Sequence, residues 1–297
     1  PRSVLTIGVF DGVHLGHRAI LDAVRRRAAA RRVPATVITF DRHPLRTLAP
    51  RLAPRCLMTL PQRLARLRDA GARRIVVLPF TRALARLGAE AFVDRVLIRR
   101  LHAAEVVVGY DFHFGSGGRG DGALLGALGA RRGFTATVVP PFLRRGEPVS
   151  STRIRRLLSV GDVAEAARQL GRPHVMAGRR VAGRRLGRRI GWPTINLVPL
   201  NELLPRYGVY AVRVPALGLA GVANLGVRPT VERGPVAPLL EVHGFGRVPV
   251  RLPARLDVTL IRFLRPEIRF PTVEAMSRRI ARDAARARAV LARGGAA

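Results

Sequence analysis

Two hydrophobic rhythms divide this chain. In the first half, dense apolar runs at residues 4–9, 35–40, 75–80, 105–109 and 134–139 alternate with stretches in which apolar residues recur every three to four positions. The runs predict buried strands and the periodic stretches predict helices. Ile20, Val24 and Ala28 mark one face of the first helix. Leu64 and Leu67 mark the next, with Gly71 as its stop. Phe92, Val96 and residues 98–101 mark a third, and Leu124 and Leu128 a fourth, ended by Gly133. Strands alternating with helices predict a parallel sheet with right-handed crossovers.

From about Val175 the helical rhythm stops. Short β-like runs at 207–214, 219–225, 239–243 and 256–263 are punctuated by Gly and Pro, which predicts an antiparallel barrel. One helix closes the pattern. Thr272 is its N-cap, and Met276, Ile280 and Ala284 form its apolar stripe, which makes Met276 a core residue. The expected architecture is α/β plus β: domain 1–172 with a Rossmann-like parallel sheet, then domain 173–297 as a barrel with a C-terminal helix. The boundary is expected within 171–176.

Composition narrows the chemistry. The chain has 297 residues, 53 basic against 19 acidic, and a net charge of +34. Every basic residue is Arg, so the Gly-Lys pair of a P-loop is absent. Arg is scattered along the chain and aromatics make up only 5%, which argues against a dedicated nucleic-acid surface and for anionic small substrates in an Arg-biased composition. No uncharged apolar run reaches about 18 residues, so no membrane span is expected. The lone Cys56 excludes an intrachain disulfide and a multi-Cys metal site. The expected location is cytoplasmic.

The unusual polar residues fall just after the predicted strands of the first half, where open parallel sheets bind ligands. After the first strand, His14 and His17 lie three apart at a helix start, with Gly16 between them allowing close backbone approach. Two imidazoles at the positive end of a helix suit a polyphosphate undergoing substitution. After the fifth strand, Ser150, Ser151 and Thr152 open a helix expected over 153–158. With Arg153 and Arg155 they form an anion site for β- and γ-phosphates.

The His-x-Gly-His arrangement resembles the nucleotidyltransferase signature. Residues 8–17, 39–44, 109–115 and 150–155, in this order, resemble the FAD synthetase half of the bacterial bifunctional riboflavin kinase/FAD synthetase family. The resemblance implies transfer of AMP from ATP to FMN, releasing pyrophosphate, without a covalent enzyme intermediate. It implies that His14 and His17 are catalytic and stabilise phosphate charge. Gly8, Phe10, Asp11, Gly12, Gly16, Ser150, Ser151, Thr152, Arg153 and Arg155 would hold ATP. His43, Pro44, Asp111, Phe112 and Phe114 would hold FMN. Val9, Arg42 and Tyr110 depart from the residues usual there.

The second half is similar to the riboflavin kinase part of the same family. Gly178, Gly183, Gly187, Arg188, Gly191 and Pro193 match its nucleotide-binding stretch, and Asn224 belongs to a further match. Thr194 and Asn196, as hard oxygen donors, would hold Mg²⁺. A plain β-turn served by Pro193 and Asn196 is the alternative account of the same residues. Glu241 would be the base that takes the riboflavin 5′-hydroxyl proton; its alternative is a solvent-facing Glu on an alternating strand. Arg265 and Glu267 would contact flavin. Where the family carries Asp-Leu-Tyr-Gly, this chain has Val250-Arg251-Leu252-Pro253.

The expected ligands are riboflavin, FMN and ATP with Mg²⁺, giving FMN and FAD, with no membrane and no specific nucleic acid. Two rivals stand beside the bifunctional reading: a synthetase with a degraded kinase barrel, and a basic nucleic-acid-binding protein.

Overall fold

The computed structural model describes residues 2–182, 192–227 and 237–293. Packing divides the chain into two compact units, Pro1–Ser151 and Thr152–Ala297.

The first unit is built on a parallel sheet of β1 (Ser3–Ile7), β2 (Ala35–Phe40), β3 (Arg74–Leu78), β4 (Ala103–Gly109) and β5 (Thr135–Val139), in the order β3-β2-β1-β4-β5. β1 and β2 are buried along their whole length, which is why they read as dense apolar runs. The helix Leu15–Ala30 crosses one face through Val24 and Ala28. On the other face, Leu97, Leu101, Leu125 and Leu128 close a larger core over Leu5, Ile38 and Val106. Glu105, fully buried on β4, is held by Arg27 at 2.7 Å, Arg31 at 2.8 Å and the Thr137 hydroxyl at 2.9 Å. A short hairpin, β6 (Leu143–Arg144) and β7 (Glu147–Pro148), follows the sheet.

The second unit contains a closed antiparallel barrel of six strands: β8 (His174–Val181), β9 (Ile195–Pro199), β10 (Gly208–Val214), β11 (Leu219–Val227), β12 (Pro238–Gly244) and β13 (Arg255–Arg265). The sequence pattern reveals four of them. β8 and β9 escape it because Gly178, Arg179 and Arg180 break the alternation in one, while the other is five residues long and ends in Pro199. The helix Val273–Arg293 packs on β10, β11 and β13 through Ala284, Ala287 and Leu291. Thr272 caps it as expected, accepting the Ala275 N–H at 3.2 Å. The helix Val163–Leu170 packs against β8 and β13 with its apolar face, so this stretch upstream of residue 172 belongs with the barrel by packing.

Candidate active sites

In the first unit the chain leaves β1 through a turn that few side chains tolerate. Phe10 and Val13 adopt φ of 50° and 42°, and Gly12 has φ 88°. Each non-glycine residue in such a conformation costs about 1–3 kcal/mol and persists only where its surroundings hold it there. Those surroundings are dense. Phe10 and Val13 are buried against Leu21, Val37 and Leu67. The Asp11 carboxylate accepts the Leu57 N–H at 3.0 Å and the Met58 N–H at 3.2 Å. The Ser151 hydroxyl donates to the Asp11 carbonyl at 2.8 Å.

The turn delivers His14 and His17 to the start of the first helix. Their rings stack at 3.7 Å between centroids, 20° from parallel, and the Phe10 ring meets His17 edge-on at 5.2 Å. The His14 Nδ1 atom accepts the His17 N–H at 3.3 Å, so the neutral ring carries its proton on Nε2. Gly16 is needed because a Cβ there would come within 3.2 Å of the His14 ring and 3.3 Å of the Val149 carbonyl. The structure therefore brings together residues 10–17 and the segment 149–151.

Other expected residues take different places. Asp11 is 3% exposed and both its oxygens serve backbone amides, so it anchors the 57–58 loop. Phe114 is 6% exposed, packed between Phe92 and Phe112 in the sheet core, so it shapes the site from behind. Phe112 is partly buried against the same core, and Asp111 is exposed after β4. His43 Nδ1 accepts the Leu45 N–H at 3.2 Å, and Pro44 precedes a short helix, Leu45–Leu48. The helix expected from Arg153 begins at Ser151, and Thr152, Arg153 and Arg155 lie on it within the second unit.

In the barrel, Glu241 on β12 stands opposite Asn224 on β11 and opposite Asn196 on β9. Directly opposed residues share a face, so the three side chains form one polar row. Asn224 Nδ2 donates to Glu267 Oε1 at 3.0 Å, joining two residues that sequence reasoning gave to different ligands. The Asn196 side chain is buried, and its Oδ1 has no hydrogen-bond partner among the described residues. His243, two residues beyond Glu241, donates from Nδ1 to the Pro193 carbonyl at 2.9 Å and meets the Trp192 ring at 4.9 Å. It thereby braces the limb that carries Thr194.

A cavity of about 230 Å³ opens beside this row. Its lining includes Thr194, Asn224, Glu241, Arg265, Met276 and Ile280. Met276 thus lines the cavity, contrary to the core position its helical spacing implied. Arg265 is committed to a nearly buried ion pair with Asp283 at 2.7 Å, which ties β13 to the last helix, so it frames the cavity rather than offering a free cation. Gly178 is a packing residue, since a Cβ there would meet that of Leu197 at 2.7 Å. Gly183, Gly187, Arg188 and Gly191 lie outside the described residues. The unusual segment 250–253 precedes β13 and does not line the cavity.

Comparison with known proteins follows this division. Residues 1–153 match the family profile described as FAD synthetase, and residues 170–291 match the one described as riboflavin kinase. A bifunctional riboflavin kinase/FMN adenylyltransferase of Escherichia coli (strain K12) is 38% identical over 96% of this chain and 91% of its own length. The Pseudomonas fluorescens protein of the same name is 40% identical over 97% and 93%. A solved structure described as a macrolide-efflux protein from Streptococcus pneumoniae superposes with a TM-score of 0.85 at 28% identity, covering 95% of this chain and 92% of that one. Among the described residues here, no helix is long and apolar enough to cross a membrane.

Proposed function

The chain belongs to the bifunctional riboflavin kinase/FMN adenylyltransferase family, and on that footing we propose how its two halves divide the chemistry. It carries both activities: phosphorylation of riboflavin to FMN by ATP, and adenylyl transfer from ATP to FMN, giving FAD and pyrophosphate. We assign adenylyl transfer to residues 1–172 and riboflavin phosphorylation to residues 173–297. The cytoplasm is the compartment that fits this reading.

In adenylyl transfer, an FMN phosphate oxygen attacks the α-phosphorus of ATP and pyrophosphate leaves. His14, with its proton on Nε2, and His17 donate to the phosphate oxygens as charge gathers there. Gly12 and Gly16 let the backbone approach the nucleotide, and the amides at the start of the first helix add a positive field. Ser150 and Ser151, in the same unit, add phosphate contacts. His43, Pro44, Asp111 and Phe112 face the flavin.

In phosphorylation, the riboflavin 5′-hydroxyl attacks the γ-phosphorus while Glu241 takes its proton and ADP leaves. The residues suit Mg²⁺. Asn196 offers a buried carboxamide oxygen that has no hydrogen bond among the described residues, and Thr194 offers a hydroxyl. Among the described residues no cluster of three or more His, Cys, Asp or Glu could hold a metal, so few protein ligands plus substrate phosphates is the expected mode. Bound Mg²⁺ neutralises phosphate charge. Glu267 and Arg265 border the flavin end of the cavity.

The observation that carries the reading is the Asn196–Glu241–Asn224 row beside a cavity, which the segment 250–253 leaves intact. The test is one incubation with riboflavin, ATP and Mg²⁺ followed by flavin chromatography. FAD appearing by way of FMN is expected. FAD formed only from added FMN would restrict the chain to adenylyl transfer.

A further inference from the structure

We propose that Arg63 is the positioning residue that holds His14 and His17 in their reactive arrangement. The inference rests on the assignment of those histidines to adenylyl transfer.

Helical spacing placed Leu64 and Leu67 on the inner face of the helix Leu60–Asp69. The structure buries Leu67 as expected, leaves Leu64 half-buried, and turns Arg63 inward as well. A capping box starts this helix: Thr59 accepts the Gln62 N–H, and the Gln62 side chain accepts the Thr59 N–H at 3.0 Å. The box fixes the first turn, and the next residue is Arg63, only 5% exposed. Arginine is rarely buried so deeply without partners that require it.

Those partners are main-chain carbonyls. Arg63 Nη1 donates to the Val9 carbonyl at 2.7 Å, and Nη2 donates to the Phe40 carbonyl at 2.5 Å. Both carbonyls lie at the carboxyl mouths of adjacent strands, β1 and β2. The Val9 carbonyl accepts a second bond, from the Thr39 hydroxyl at 3.1 Å. Two donors direct this carbonyl inward just where the chain turns to φ 50° at Phe10, and the Phe10 ring then supports His17 at 5.2 Å.

The charge is also answered locally. Burial pushes the guanidinium pKa below its ordinary value, while the nearby carboxylates of Asp11 and Asp41 oppose that shift. Asp11 fixes the 57–58 loop, and Asp41 accepts the Phe80 N–H at 2.9 Å beyond β3. One buried cation therefore sits among the loops that follow β1, β2 and β3. A planar fork suits two divergent carbonyls in a way that no apolar residue of similar volume does.

The test is steady-state kinetics of FAD formation from FMN on the full chain, with riboflavin phosphorylation by the same molecule as the control for folding. Arg63→Met keeps the stem and removes both donors. Its kcat is expected to fall about 30-fold or more with KM for FMN and ATP within about twofold, as misplacement of catalytic groups produces. Arg63→Lys, which keeps the charge without the fork, is expected to recover kcat only in part, and Thr39→Val to lower kcat about threefold to tenfold with the same unchanged KM. Unchanged kcat in Arg63→Met, or a loss carried by KM, overturns the proposal. Where Arg63→Met does not fold, Thr39→Val decides, and an unaltered kcat there overturns it. His17→Asn, measured in parallel, separates the two layers. Full FAD formation by His17→Asn removes the parent assignment. An inactive His17→Asn beside fully active Arg63→Met and Thr39→Val removes only the positioning role.

Discussion

Asn196 and Glu241 stand directly opposite each other on β9 and β12, one with a carboxamide oxygen that takes no hydrogen bond among the described residues, the other with a carboxylate at the edge of a cavity. A buried acceptor without a donor destabilises a fold by about 1–3 kcal/mol, so its retention points to a partner supplied from outside. An Asn196→Ala variant is therefore expected to fold normally. The Mg²⁺ concentration for half-maximal riboflavin phosphorylation should rise about tenfold or more, the usual scale for weakening a metal site. An unchanged Mg²⁺ titration would remove Asn196 from the site.

Glu241→Gln keeps shape and removes the base. Riboflavin phosphorylation should fall about 10²- to 10⁴-fold, the usual range for a general base. FAD formation from supplied FMN should stay within about twofold, since that reaction is assigned to the other half. His17→Asn should give the reverse, with FMN accumulating and FAD formation falling by about 10²-fold or more. Chromatography of the flavins reads both variants, and equal damage to both reactions in a folded protein would contradict the division.

His174 links stability to pH. It is buried in β8, where desolvation and then the positive charge of Arg172 lower its pKa from the ordinary 6.5 to about 4. The unfolded chain therefore binds this proton first. Stability is full above about pH 6.5 and is lost as pH falls toward about 4, by roughly 3 kcal/mol in all at about 1.4 kcal/mol per pH unit. Urea unfolding at pH 4.5 and 7.5 should show this slope in the barrel, and His174→Leu should flatten it. A slope identical in the two proteins would assign the effect to other groups.

Glu105→Ala should destabilise the first unit by about 2 kcal/mol. The loss strands Arg27 and Arg31, but their side chains are 43% and 44% exposed and can turn to solvent, which keeps the cost below that of a fully enclosed pair. Thermal unfolding followed by FAD formation should show the first unit failing earlier, with riboflavin phosphorylation persisting to higher temperature.

How much of this was legible in sequence depended on what kind of burial each residue undergoes. β1 and β2 announce themselves because strands buried on both faces must be apolar throughout. β8 carries two adjacent exposed arginines, Arg179 and Arg180, and a glycine where Leu197 crowds it, so its alternation is hidden. The histidine pair and Glu241 were visible as chemistry. The amide partners of Asp11 could not be read, because a carboxylate in a glycine-rich turn looks the same whether or not it accepts the amides of Leu57 and Met58. Arg63 was invisible for the same reason: its partners are carbonyls of residues 9 and 40, and no local pattern records a bond across that distance.

The closure of the barrel by β13 has a consequence for the order of events during synthesis. β13 pairs with both β8 and β10, so the first barrel strand to leave the ribosome waits for the last before its wall is complete. The parallel sheet needs nothing beyond Val139. Vectorial folding thus completes the parallel sheet before the barrel, and a chain arrested short of Arg255 would hold the sheet whole beside a barrel wall still open between β8 and β10.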